Sequence, residues 1–146
     1  MIEVKVSTAV NPTEDKERVE MAVMNMFPLI DIGTVTTDEG DFLEGTGDIE
    51  SLRNIHDLFR RELIIDTART RLEAGSYRNP TRTRFLINKQ VATIGKLNFP
   101  AIEEPLGSIH VDITTDTAED MEILIEWLTP PTEEGIPLFE PEMPKL

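Results

Sequence analysis

Two well-separated stretches of period-two alternation constrain the fold of this chain more than any other feature. In 2–10, "IEVKVSTAV", Ile2, Val4 and Val6 alternate with Glu3, Lys5 and Ser7. That is the pattern of a strand with one buried and one wet face. In 106–116, "LGSIHVDITTD", Ile109, Val111 and Ile113 alternate in the same way, and His110 falls on the opposite, outer side. Half-buried strands need neighbours for their backbone groups and a layer that covers one face only.

The rest of the chain supplies candidates for both. The stretch "NPTEDKERVEMAVMNMFP" predicts a helix with Asn11 as cap, Pro12 in the first turn and Pro28 as the stop. Val19, Ala22, Val23 and Met26 form its apolar stripe. Residues 29–36, "LIDIGTVT", read as a second strand, followed by a turn-rich loop with a short strand at Phe42–Leu43. Residues 48–73 form the longest helical stretch. At about 100° per residue, Leu52, Ile55, Leu58, Phe59 and Leu63 share one face, while Ile64, Ile65, Ala68 and Leu72 share nearly the opposite one. Either the helix breaks near Arg61–Leu63 or its halves meet different neighbours. Gly75 reads as its C-cap. A strand at 83–88, a short helix capped by Asn88, a further strand around Lys96–Ala101 and a helix over 118–128 started by Thr117 and Asp120 complete the order. The expectation is an α+β fold: a single domain over 1–129, mostly antiparallel sheet with helices packed on one side, and an extended proline-rich acidic tail over 130–146.

Several kinds of chemistry find no support. With no cysteine and two histidines, neither a thiolate metal site nor a His-built one is expected, and no cofactor. The acids of "TDEGDFLEGTGD" miss the calcium-loop template, and "GTG" at 45–47 lacks the third glycine of a dinucleotide fingerprint. No G-x-S-x-G elbow or phosphate loop is present. The chain is therefore expected not to be an enzyme. The N-terminus lacks the basic-then-apolar pattern of a signal peptide, and no apolar run is long enough for a membrane span, so a cytoplasmic location is expected.

Charge is the remaining signal. The formal net charge is −14, yet the segment from Arg53 to Lys96 holds ten bases against four acids. Such asymmetry points to a polyanionic partner, or to acidic segments folding back on the basic one. Between Arg69 and Lys96 arginine outnumbers lysine five to two, and arginine's planar fork suits bidentate phosphate contact and stacking on bases. Tyr77, in the "GSYRNP" turn, is the aromatic placed to be exposed, whereas Phe85 belongs to the core side of its strand. Alternation sets Arg82 and Arg84 on one face. Candidate RNA-binding residues are Arg69, Arg71, Tyr77, Arg78, Arg82, Arg84, Asn88, Lys89, Gln90 and Lys96. The alternative is an assembly subunit whose basic face docks an acidic protein surface, its own included, as a homo-oligomer.

Four stretches, "FRRELIIDTARTRL" (59–72), "FLINKQVATIGKLNF" (85–99), "EPLGSIHV" (104–111) and "WLTPPTEEGIP" (127–137), resemble a small archaeal family of uncharacterised proteins held to bind RNA, with relatives proposed as exosome-associated. The likeness runs through nearly the whole chain. It implies an α+β fold similar to the large-subunit ribosomal protein that contacts 5S ribosomal RNA, and exosome- or ribosome-related partners. It brings no catalytic residue. The family pattern falls on Arg69, on Asn88, Lys89 and Gln90, on Leu106 and Gly107, and on Trp127 with Pro130. Lys89 and Gln90 would place a cation and an amide at one anion-facing helix end. Trp127 is expected in the core under the tail.

Overall fold

The computed structural model describes residues 1–100 and 106–146. The two alternating stretches become β1 (Ile2–Val10) and β5 (Ile109–Thr115), paired antiparallel with Val6 opposite Val111. β1 is also paired with β3 (Gly40–Gly47), and β5 with β4 (Arg82–Ile87). β2 (Gly33–Thr37) closes the far edge, giving the antiparallel order β2-β3-β1-β5-β4. Alternation makes one face of this sheet apolar: Val4, Val6, Phe85, Ile87, Val111 and Ile113 are all buried.

Helices α1 (Lys16–Met26), α2 (Arg53–Arg61), α3 (Ile65–Gly75), α4 (Lys89–Ala92) and α5 (Ala118–Leu128) lie on that face. Each of the longer ones contributes the stripe its spacing predicts, such as Met121, Leu124, Ile125 and Leu128 of α5. At about 1.5–3 kcal/mol for each fully buried aliphatic side chain, these stripes are the main stabilising term of the packing. They join the sheet residues in one core cluster. The α+β expectation holds, with the helices on one side and, among the described residues, no helix on the other face of the sheet. Trp127 is buried and stacked on His56, ring centroids 4.8 Å apart.

Several boundaries differ from the sequence expectations, each for a physical reason. The cap of α1 is Asp15, whose carboxylate accepts from the Glu17 N–H at 3.0 Å. Asn11 instead folds a turn with Glu14, its N–H and Nδ2 both donating to Glu14 Oε1. The second strand starts only at Gly33, because Leu29–Ile32 crosses the core face of β3. Gly45, opposite Val6, has no Cβ to block that crossing; one would lie 2.5 Å from an Ile30 methyl and 2.6 Å from the Asp31 carbonyl. The helical stretch breaks where its apolar face changes sides: Leu63 is exposed at φ +56°, and the chain restarts as α3 at Ile65. A short 3-10 turn, Ile49–Leu52, precedes α2. Gly75 is not a C-cap. α3 runs through it, and its bare Cα admits β4, since a Cβ would sit 2.2 Å from the Arg84 carbonyl oxygen. Lys96–Pro100 has no regular structure, and Ala101 lies outside the described residues.

In the last segment, β6 (Thr132–Glu133) and β7 (Ile136–Pro137) form a small hairpin. Arg60 then pins the chain end: its Nε and Nη2 reach the two Glu140 oxygens at 2.7 Å each, and Nη1 donates to the His56 and Leu128 carbonyls. Met143 and Leu146 pack against the core.

Candidate nucleic-acid interface

The uncovered face of the sheet carries the outward residues of each strand, and the register fixes their order. Lys5, Asp112 and Arg84 stand in one cross-strand row over β1, β5 and β4. Glu3, Thr114 and Arg82 form the row on one side, and Ser7, His110 and Leu86 the row on the other. Together Lys5, Ser7, Arg82, Arg84, Leu86 and His110 border an open cavity of about 450 Å³ with Asp112 in its floor. Arg82 holds Asp112 with both arms of its fork, Nε to Oδ1 at 2.8 Å and Nη2 to Oδ2. Arg84 stands further off, Nε 3.7 Å from Asp112 Oδ2, with 61% of its side chain exposed. Two arginines thus share one carboxylate, and with Lys5 the lining of the concavity holds three cations to one acid, on a face that no helix covers among the described residues. A planar guanidinium free on one side is able to take a phosphate as a bidentate pair.

The other candidates divide by their surroundings. Tyr77, 87% exposed, and Arg78, also exposed, lie in the turn that leads straight into Arg82. Arg71 is half-buried on α3 and makes no ion pair among the described residues. Arg69 is committed to its own helix and to the end of α5, with Nε donating to Glu73 Oε1 at 2.9 Å and Nη1 to the Thr129 carbonyl at 3.1 Å. Asn88 caps α4, accepting from the Val91 N–H at 3.1 Å. Gln90 is exposed on α4, and Lys96 is exposed beyond it, past the end of β4 opposite to Arg82.

Lys89 requires a correction. It is 1% exposed, and its Nζ donates to the Ala9 carbonyl at 2.8 Å, the Leu106 carbonyl at 2.7 Å and Glu14 at 3.0 Å. All three ammonium protons are used, so this lysine ties β1, the α1 entrance and α4 together and has nothing left for a phosphate. Burial pushes the Glu14 carboxyl up, but the donors from Asn11 and Lys89 outweigh it and hold the group below its ordinary 4.5. The cation read at the anion-facing helix end with Gln90 is therefore already paired with Glu14.

Two members of the open face were not among the candidates. Lys5 and His110 each sit outward by simple alternation, but their place beside Arg82 and Arg84 depends on β1 and β5 being inserted between β3 and β4, which no local pattern states. Among the described residues no group of three or more His, Asp or Glu is placed to hold a metal ion, and no helix is long and apolar enough to cross a membrane.

Fold and face together define a class: an α+β protein whose antiparallel sheet is covered on one side and offers an arginine- and lysine-bordered surface on the other. A family model described as RNA binding matches residues 3–115, and the chain belongs to that family. The UPF0201 protein of Methanosarcina acetivorans is 45% identical over 153 residues, covering 98% of this chain and 93% of the relative. That of Thermococcus onnurineus is 39% identical, covering 93% of this chain and 97% of its own length. The crystal structure of the UPF0201 protein from Methanococcus jannaschii superposes with a TM-score of 0.84 at 34% identity, over 94% of this chain and 99% of the other.

Proposed function

We propose that this protein is a non-catalytic RNA-binding protein that holds backbone phosphates on the uncovered face of its sheet. Lys5, Arg82 and Arg84 are the principal cations, with Tyr77 and Arg78 beside them. The observation that carries this is the gathering of three cations from β1 and β4 around one concavity with a single carboxylate, in a chain of formal charge −14. The family's description as RNA binding agrees with it. Asp112 orients Arg82 along the face, so its fork is set before a ligand arrives. Tyr77 offers a ring on which an unpaired base can stack, a contact of about 1–3 kcal/mol. In this scheme Arg69 acts by tying α3 to the end of α5, and Asn88 and Lys89 act by capping and anchoring α4, not by touching RNA.

The test is fluorescence anisotropy with labelled single-stranded and hairpin RNA over a range of salt. Four phosphate contacts, from Lys5, Arg78, Arg82 and Arg84, give a slope of log K against log salt of roughly −3 to −4. Arg84→Glu should lower that slope by about one and weaken binding about tenfold or more. Arg61→Glu makes the same charge change at an exposed arginine on the helix side and should leave affinity nearly unchanged. Equal losses from both variants, or no RNA binding by the parent protein, would defeat the proposal.

A further inference from the structure

The edge of the sheet remote from the arginines has different properties. All five residues of β2, Gly33, Thr34, Val35, Thr36 and Thr37, are exposed. The two-residue turn at Asp38 and Glu39 closes on the pair Thr37 and Gly40. A pair flanking such a turn is hydrogen-bonded, so alternation leaves the backbone N–H and C=O groups of Thr34 and Thr36 pointing away from β3. Among the described residues these groups meet no partner. The strand itself carries no lysine, no proline and no bulge, three of the devices that blunt such edges.

Two arrangements of a second copy meet opposition: self-pairing that joins Thr34 to Thr36, and head-to-tail pairing onto β4. Antiparallel self-pairing that joins Thr34 to Thr36 in both directions sets Asp31 of one copy against Glu39 of the other. Head-to-tail pairing would need the free edge of β4, which is sealed. The Thr115 N–H reaches the Thr81 carbonyl at 2.8 Å, so alternation turns the backbone of Arg82 and Arg84 outward. There the Arg82 N–H is bound by the Asn79 carbonyl, Gly75 of α3 lies against Arg84, and the Asn88 N–H is bound by the Asn98 carbonyl.

The surroundings of β2 specify what does fit. From Val19 to Leu52 the chain has eight acids and no base, and Asp31, Asp38, Glu39 and Asp41 bracket the strand. Between them the open-face row Ala9, Phe42 and Val35 is apolar and stops abruptly at the edge. We infer that β2 accepts a sixth strand from another protein: an extended, β-branched peptide segment with an apolar residue beside Val35 and Lys or Arg at both ends. Backbone bonds to Thr34 and Thr36 supply the register, the Val35–Phe42 row one side-chain contact, and the four carboxylates the preference for a basic partner. The site is independent of the RNA surface, at the other end of the sheet.

The probe is a synthetic peptide of about nine residues, alternating Thr and Val with paired Lys at each end, titrated into the full chain and read by amide exchange and NMR shifts. Binding should protect the Thr34 and Thr36 amides. Thr36→Pro should abolish it, and Val35→Lys, a change on an exposed side chain, should weaken it about tenfold by adding like charge at the edge. A peptide of equal charge interrupted by Pro, and one with Glu for Lys, should fail to bind. Binding without protection of those amides is adhesion to an acidic surface and overturns the inference, as does no binding. Protection that rises with protein concentration in the absence of peptide and disappears in Val35→Lys assigns the edge to a second copy and overturns it equally. RNA affinity should be unaltered in Thr36→Pro, so failure here and failure of the RNA proposal are separate results.

Discussion

Lys89→Met separates the two roles a basic residue in this segment can have. The wild-type side chain is 2% exposed, and its ammonium donates to two main-chain carbonyls and to Glu14, whose side chain is 8% exposed. Methionine fills nearly the same volume, so the change removes charge and donors without opening a large cavity. It leaves the Ala9 and Leu106 carbonyls short of a donor and leaves the Glu14 carboxylate with only the Asn11 N–H and Nδ2. Breaking a buried pair by deleting one partner costs about 3–5 kcal/mol. For a chain of this size that corresponds to a fall in Tm of roughly 10 °C or more. Differential scanning calorimetry measures it directly. Adding Glu14→Gln, which removes the orphaned charge, should recover about 1–2 kcal/mol of the loss, a coupling expected of residues in contact. Assayed well below its Tm, the variant should bind RNA as the parent does. A Tm within about 2 °C of the parent's together with a large loss of RNA affinity would refute the assignment of Lys89 to the fold.

Gly75→Ala gains helix propensity but places a methyl 2.2 Å from the Arg84 carbonyl oxygen and 2.7 Å from its nitrogen. The net effect should be destabilising by about 1–3 kcal/mol in urea unfolding, and a stabilised variant would contradict the close approach. The Glu14 and Glu140 carboxyls are both held below 4.5, Glu140 by its bond to Arg60. Their contribution is therefore present above pH 4.5 and is lost as pH falls through the lower folded-state values, which acid titration of stability checks; Glu140→Gln should reduce that acid-dependent loss. Burial holds His56 below its ordinary 6.5, so its contribution is complete above pH 6.5 and declines as pH falls beneath it. Emission of Trp127, the single tryptophan, should change in that window through its stack on His56 and should cease to do so in His56→Gln.

Element type was legible wherever one local pattern decided it. β1, β5 and α5 follow from alternation and from a stripe with a capping threonine, and Thr117 does accept from the Asp120 N–H. The break in the 48–73 stretch was visible as a change of apolar face, although only the structure shows that Leu63 adopts φ +56° there. The failures share a cause. At Leu29–Ile32 the side chains suit a strand, but the segment is used to cross Gly45, a contact set by tertiary packing. At Gly75 a residue that often ends helices is needed for a close approach between α3 and β4. The site divides in the same way. Alternation paired Arg82 with Arg84 from sequence alone, but the burial of Lys89 depends on Glu14, 75 positions away. The addition of Lys5 depends on a register between β1 and β5 that joins residues more than a hundred positions apart.

That long-range order also determines how an acidic protein can hold a polyanion. The acid-only stretch from Val19 to Leu52 and the basic stretch from Arg53 to Lys96 adjoin in sequence, and on the sheet they would largely cancel if β3 and β4 were neighbours. Inserting β1 and β5 between them places β2 and β4 four strand spacings apart, about 19 Å. At about 0.15 M salt the screening length is near 8 Å, so a phosphate over Arg82 and Arg84 feels their charge and little of Asp38 or Glu39. At about 0.01 M the screening length grows to roughly 30 Å, and the same phosphate feels the whole −14. Counterion release then favours binding while the distant carboxylates oppose it. The plot of log K against log salt should hold its slope of roughly −3 to −4 above about 0.1 M and flatten below it. Neutralising the remote end with Asp38→Asn and Glu39→Gln should restore the steep slope at low salt without altering affinity at higher salt. A straight line over the full range in both proteins would mean that the acidic edge and the basic face do not act as separate fields.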